Sequence, residues 1–209
     1  MELKGLKINI LGDSITQGVG ATGMENCYVS CLSRLSGALC RNYGISGTRI
    51  ARKRVPTENS IFDQDFVSRV DGMDQDADIV LVFGGTNDFG HGDAPLGQLG
   101  DSTVWSFYGA LSVLYNSLRL RFPNSRIVIL TPIKRRVEEN RNGLLSDFVT
   151  AELKVAGEYG FPVLDWYHNL SVDLHDPEME AIYSADGLHP NDAGHKLLAE
   201  TVFAFLEKL

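Results

Sequence analysis

Five short strand-like runs recur along the chain, and longer stretches with apolar residues at helical spacing separate them. The runs are "LKINILG" (6–12), "ALCRNYG" (38–44), "ADIVLVFGG" (77–85), "RIVILTP" (126–132) and "FPVLDW" (161–166). Between and after them lie "NCYVSCLSRLSG" (26–37), "FDQDFVSRVDGM" (62–73), "STVWSFYGALSVLYNSLRLRF" (102–122), "GLLSDFVTAELKVAGEYG" (143–160) and "NDAGHKLLAETVFAFLEKL" (191–209), each read as a helix. Gly37 is the expected stop of the first helix and Ser102 the expected cap of the third. Strict alternation of this kind predicts an α/β protein with one five-stranded parallel sheet and helices on both faces. The unbroken apolar run in "ADIVLVF" fits a strand covered on both sides. A chain of 209 residues without repeats or linker-like stretches fits one domain over residues 1–209.

In such a sheet every strand's carboxyl end points the same way, and sites form on that edge. The residues that follow the strands become neighbours in space: Ser14, then Ser46 and Gly47, then Asn87, then Pro132 onward and Trp166 onward.

"INILGDSITQG" (8–18) places Ser14 directly after the first strand, where a serine can cap a helix or act as a nucleophile. The second role needs a base, an orienting acid and oxyanion donors. Five histidines are available. His91 lies in a Gly-rich loop, His168 and His175 follow strand five, and His195 falls inside the last helix, where it is expected to face solvent. His189 lies in "SADGLHPNDAGH", with Asp186 three residues upstream across a glycine. That compact turn can bring the carboxylate to one ring nitrogen and leave the other free. Donors for an oxyanion are available from Gly44 or Gly47 in "NYGISG", from the Asn87 amide in "GGTND", and from the Ser14 N–H. Asp13 and Thr16 are expected to shape the turn around Ser14, and Asp88 to hold the loop after strand three.

These blocks, in this order, resemble the SGNH hydrolases, also called the GDSL esterase/lipase family. "GDSIT" carries Ser14, "NYGISG" carries Gly47, "GGTND" carries Asn87, and "DGLHP" carries Asp186 and His189. The resemblance spans nearly the whole chain. It implies a flavodoxin-like three-layer α/β/α sandwich. It also implies a metal-free Ser14–His189–Asp186 hydrolase, with the Ser14 and Gly47 N–H groups and the Asn87 amide as the oxyanion hole. Ile15 stands where the family's eponymous leucine would be, an apolar exchange. Thr16 replaces the second glycine of a G-x-S-x-G elbow, which separates the chain from the α/β-hydrolases.

A serine ester hydrolase of small or short-chain acyl esters, including O-acetylated sugars, is the leading reading. A thioesterase or acyltransferase with the same residues is the runner-up, and a noncatalytic carbohydrate-binding descendant comes from another class. Two basic triplets, Arg52-Lys53-Arg54 and Lys134-Arg135-Arg136, fall on the carboxyl edge. Through Arg52 and Arg135 they could attract an anionic ester. Phe89, Trp166, Tyr167 and Tyr183 are candidates for an apolar wall, and the four glycines of 89–101 suggest a mobile lid. The formal charge of −8 argues against nucleic acid as a partner. No HExxH or Cys/His cluster points to a metal, and no cofactor is expected. Cys27, Cys31 and Cys40 cannot form a paired framework without leaving one over and are expected reduced, with Cys27 and Cys31 sharing a buried helix face. No apolar run reaches the roughly 18 residues of a membrane span. The N-terminal stretch shows no secretory pattern, so a cytoplasmic location is expected.

Overall fold

In the computed structural model, which describes residues 1–209, the central sheet is made of β1 (Lys7–Gly12), β2 (Leu39–Gly44), β3 (Ile79–Phe83), β4 (Arg126–Leu130) and β7 (Val163–Leu164). All neighbours are parallel and the order is β2-β1-β3-β4-β7. Two further short strands, β5 (Glu139–Asn140) and β6 (Gly143–Leu144), pair only with each other.

The period of two along β3 sorts its side chains. Ile79, Leu81 and Phe83 enter one apolar layer, while Val80 and Val82 enter the other. The first layer is closed by α2 (Tyr28–Ser36) and α9 (Asp192–Lys208), which pack on each other. The second is closed by α5 (Phe107–Arg121) and α6 (Leu145–Tyr159). The result is a three-layer α/β/α sandwich, and the strand order is that of flavodoxin-like folds. No helix is long and apolar enough to cross a membrane.

Local signals set most element ends. Gly37 stops α2 in the left-handed conformation at φ 69°, as expected. The Asn191 side chain caps α9 by accepting the Gly194 N–H at 3.1 Å. Elsewhere the boundaries move. α5 begins at Phe107 rather than beyond Ser102. The 62–73 stretch is not one helix: Asp65 accepts the Ser68 N–H at 2.8 Å and starts a fresh turn, α3 (Phe66–Arg69), and Phe66, Val70 and Met73 enter the core. Cys27 and Cys31 are both buried, and all three cysteines are free.

His195 reverses its expected orientation. It is fully buried, stacks on Tyr28 and accepts the Tyr28 N–H through Nδ1 at 3.3 Å. Its Nε2–H donates to the Val19 carbonyl at 3.2 Å. The helix period gives its face correctly only once α2 is known to lie against α9. The ring then supplies an acceptor to an amide at the start of α2 that no helix carbonyl can reach.

Candidate active site

The strand order creates a crevice before any side chain is considered. β2 and β3 flank β1 on opposite sides, so the connections leaving their carboxyl ends diverge. The three ends are level, since Gly12 pairs with both Gly44 and Phe83.

Ser14 opens the short helix α1 (Ser14–Gln17). Asp13 caps that turn by accepting the Ile15 N–H at 3.0 Å, and Ser14's own N–H has no carbonyl within the helix to reach. Thr16 meets the Tyr28 hydroxyl at 2.8 Å behind the turn. β2 closes on α1 at Gly44, where a Cβ would lie 2.1 Å from the Gln17 nitrogen. The Gly44 N–H is taken by Asn42 Oδ1 at 2.8 Å, so it is not the free donor. Gly47 is. It sits at φ +74°, a conformation costly for other residues, and its N–H makes no hydrogen bond within the protein.

Across the crevice, the loop before α9 delivers His189. Its Nε2 lies 3.0 Å from Ser14 Oγ and its Nδ1 lies 2.6 Å from Asp186 Oδ2. The Asp186 carboxylate also accepts the Leu188 and His189 backbone N–H groups at 2.9 and 2.7 Å. Partial burial pushes its acidity constant up, but the ring and the two amides outweigh this and hold it at about 2. It is therefore ionised and fixes the proton on Nδ1. The Nε2 lone pair then faces the serine hydroxyl. Such an arrangement can pass a proton from serine to imidazole as the oxygen attacks a carbonyl carbon.

Asn87 lies in α4 (Thr86–His91), directly after β3. A chain of donors and acceptors sets its orientation. Arg49 Nη1 can only donate, so His91 Nδ1, 3.0 Å away, accepts. His91 Nε2 then carries the proton and donates it to Asn87 Oδ1 at 3.1 Å. The Asn87 amide nitrogen is left to bond the Thr48 carbonyl at 2.9 Å, with its second hydrogen free. Burial, and then the Arg49 and Lys53 cations, push the His91 acidity constant down, which keeps the ring neutral as the chain requires. Below the floor, Asp88 accepts the Ile50 and Ala51 N–H groups at 2.9 and 2.8 Å and so holds the loop after β2. Arg69 bonds the Gly12 carbonyl at 2.9 Å, the Tyr43 carbonyl and Thr48 Oγ1, tying the ends of β1 and β2 together.

Burial raises the acidity constants of three nearby carboxyl groups. Asp13 is pushed up to about 6 and Asp88 to about 7. Glu152 goes well above the ordinary range, and neither of its carboxyl oxygens has a hydrogen-bond partner.

A model of the GDSL-like lipase/acylhydrolase family matches residues 10–197. The chain belongs to that family. This GDSL-like protein is accordingly an ester hydrolase. Among solved structures it is similar to one that is 34% identical, over 100% of this chain and 99% of that one, with a TM-score of 0.88. A protein from Lactobacillus plantarum is 33% identical over 98% of each chain, with a TM-score of 0.86. A structure described as a possible lipase from Chitinophaga pinensis shares the fold, at 22% identity over 97% of this chain and 98% of that one and a TM-score of 0.76. No curated protein sequence matches.

The cleft of the GDSL-like hydrolase has a volume of about 480 Å³ and contains Ser14, Gly47, Asn87, His91 and His189. Several residues expected to line it lie elsewhere. Phe89 is fully buried against Phe148 in the α5/α6 layer, because the α4 turn that exposes Asn87 points the ring inward. Trp166 is buried against Phe83 and Tyr28 in the other layer, and its indole N–H bonds Thr201. Tyr183 packs against that same layer, and the Tyr167 hydroxyl donates to Glu138 at 2.7 Å. Arg52 turns away to pair with Asp65 at 2.7 Å. Arg135 lies over the Phe89 ring and bonds the Thr86 carbonyl at 3.3 Å. The 89–101 loop does not resemble a lid. Its Pro95 and Leu96 carbonyls accept the first amides of α5, and Ala94 and Leu96 pack on the core. Arg49 and the role of His91 escaped the sequence reading. The signal for His91 was its spacing four residues after Asn87, which shares a helix face once "TNDFGH" is read as helical.

Proposed function

We propose that the chain hydrolyses small or short-chain acyl esters through an acyl-serine intermediate. His189 Nε2 takes the Ser14 hydroxyl proton as Ser14 Oγ bonds the ester carbonyl carbon. The Ser14 and Gly47 N–H groups and the Asn87 amide receive the oxyanion. The intermediate collapses, His189 returns the proton to the departing alcohol, and a water activated by the same ring releases the acid. Asp186 holds the imidazole in one tautomer and steadies its charged form.

The observation that carries this reading is the 3.0 Å approach of Ser14 Oγ to His189 Nε2, with Asp186 2.6 Å behind the ring. The preference for short acyl groups follows from the cleft's modest volume and from a lining with only Val19, Phe62 and Leu188 as apolar members. An O-acetylated sugar suits the same chemistry, with Phe62 as the one phenyl ring in the lining to face it.

A fluorophosphonate probe tests the assignment. We expect it to label wild type at Ser14 and to leave Ser14→Ala unlabelled, with 4-nitrophenyl acetate turnover lost in parallel. Wild-type turnover by the alanine variant would overturn it.

A further inference from the structure

Cationic groups crowd the cleft of a chain whose formal charge is −8. Its lining includes Arg49 and Lys53 and no aspartate or glutamate. Most of the other basic side chains on this edge are already engaged. Arg52 pairs with Asp65, Lys134 with Asp173, and Arg136 with Glu180. Lys53 makes no ion pair or hydrogen bond. The nearby Asp93 carboxylate is occupied by the Arg54 and Val55 N–H groups at 2.8 to 3.1 Å.

Arg49 is the stronger observation. It is 3% exposed, and no carboxylate lies within ion-pair distance. Its Nη atoms bond His91 and the Phe62 carbonyl, while its buried Nε has no partner. The neighbouring Asp88 carboxyl serves Ile50 and Ala51 instead. A buried guanidinium with no carboxylate in direct ion-pair contact is costly, and an anion in the cleft would relieve it. Both cations lie in the same cleft as Ser14.

We propose that the cleft selects an ester carrying an anionic group, a carboxylate or phosphate, held by Lys53 and Arg49. This rests on the serine-hydrolase reading of the same cleft. The anion can belong to the acyl part or to the alcohol, and the test separates them.

Two matched pairs serve as substrates: mono-4-nitrophenyl adipate against 4-nitrophenyl hexanoate, and 3-carboxyphenyl acetate against phenyl acetate. At low salt we expect the anionic member of at least one pair to exceed its neutral partner in kcat/KM by about tenfold, the scale of one charge-assisted contact. The pair that responds identifies the side that carries the charge. Raising ionic strength from about 20 mM to about 500 mM should shrink the ratio by screening. Lys53→Gln should lower the ratio and Lys53→Glu should bring it to one or below. A thermal melt verifies that both variants are folded. Neutral esters hydrolysed, with both anionic members no better and the ratios unmoved by salt or by Lys53→Glu, would overturn the inference alone. Failure to hydrolyse all four would remove the hydrolase reading, and this one with it.

Discussion

Two of the chain's four Asp-x-x-His stretches form side-chain pairs, and the two are built almost alike. In one, His189 Nδ1 lies 2.6 Å from Asp186, and in the other, His168 Nδ1 lies 2.7 Å from Asp165. Each aspartate also accepts its own histidine's backbone N–H. The difference is at the far side of the ring. His189 Nε2 meets Ser14 at 3.0 Å and its side chain is 19% exposed, whereas His168 Nε2 meets nothing and its side chain is 52% exposed. Asp165 instead caps the short helix α7 (Trp166–Asn169) and accepts a bond from Thr131 Oγ1 at 3.1 Å. A histidine oriented by an aspartate is thus a local product of four residues. It becomes a base only where the sheet brings a hydroxyl to its free nitrogen.

Removing the residues that distinguish the pairs should have the largest effect. Ser14→Ala or His189→Ala should each lower kcat/KM on 4-nitrophenyl acetate by about 10⁴-fold or more. His168→Ala should leave it unchanged. Equal losses at His168 and His189 would break the comparison.

The two aspartates should separate next. Asp186→Asn loses the acceptor that fixes the Nδ1–H tautomer, so kcat should fall roughly 10³- to 10⁴-fold. Asp165→Ala should keep its activity and instead lose about 1 kcal/mol of stability, the usual size of a lost cap, read from a denaturant melt.

Smaller effects sharpen how the rest of the rim is positioned. Asn87→Ala should lower kcat roughly 10²- to 10³-fold with little loss of stability. His91→Phe acts through Asn87, so kcat should drop about tenfold with KM nearly unchanged, and His91→Gln should restore part of it. A uniform rise in KM instead would assign His91 to substrate binding alone.

The smallest effect concerns a carboxyl with no histidine at all. Asp186 is held low by its partners and favours folding above its unfolded acidity constant, an effect lost as pH falls toward about 2. Glu152, buried without a partner, behaves oppositely. Its raised constant favours folding below the unfolded value near 4.3, and that contribution fades as pH rises from there. The Tm of Glu152→Gln should therefore gain on wild type as pH rises from about 4 to about 8. A difference independent of pH would mean that Glu152 is ionised in the fold.

Much of this was legible from residue order. The five strands, their parallel sense, and the common edge for Ser14, Gly47, Asn87 and His189 follow from alternation and turn chemistry. The period of two in "IVLVF", the stop at Gly37 and the start at Asn191 are local. Most of what was not legible depended on a neighbour distant in sequence. "FDQDFVSRVDGM" looks helical by spacing, but Asp65 caps a new turn inside it. Phe89 and Trp166 sit beside the edge in sequence, but their rings turn into opposite layers. The two basic triplets read alike, yet the fold supplies carboxylates to Lys134 and Arg136 and none to Lys53.

Residue order alone therefore determined the architecture and the compact Asp186–His189 turn, because caps, turns and hydrophobic period act over a few residues. The tertiary structure decided which of the two histidines faces a hydroxyl, how Arg49 and His91 aim the Asn87 amide, and which cations stay unpaired. Those outcomes depend on distances between segments up to 175 positions apart, and only the packed sheet sets such distances.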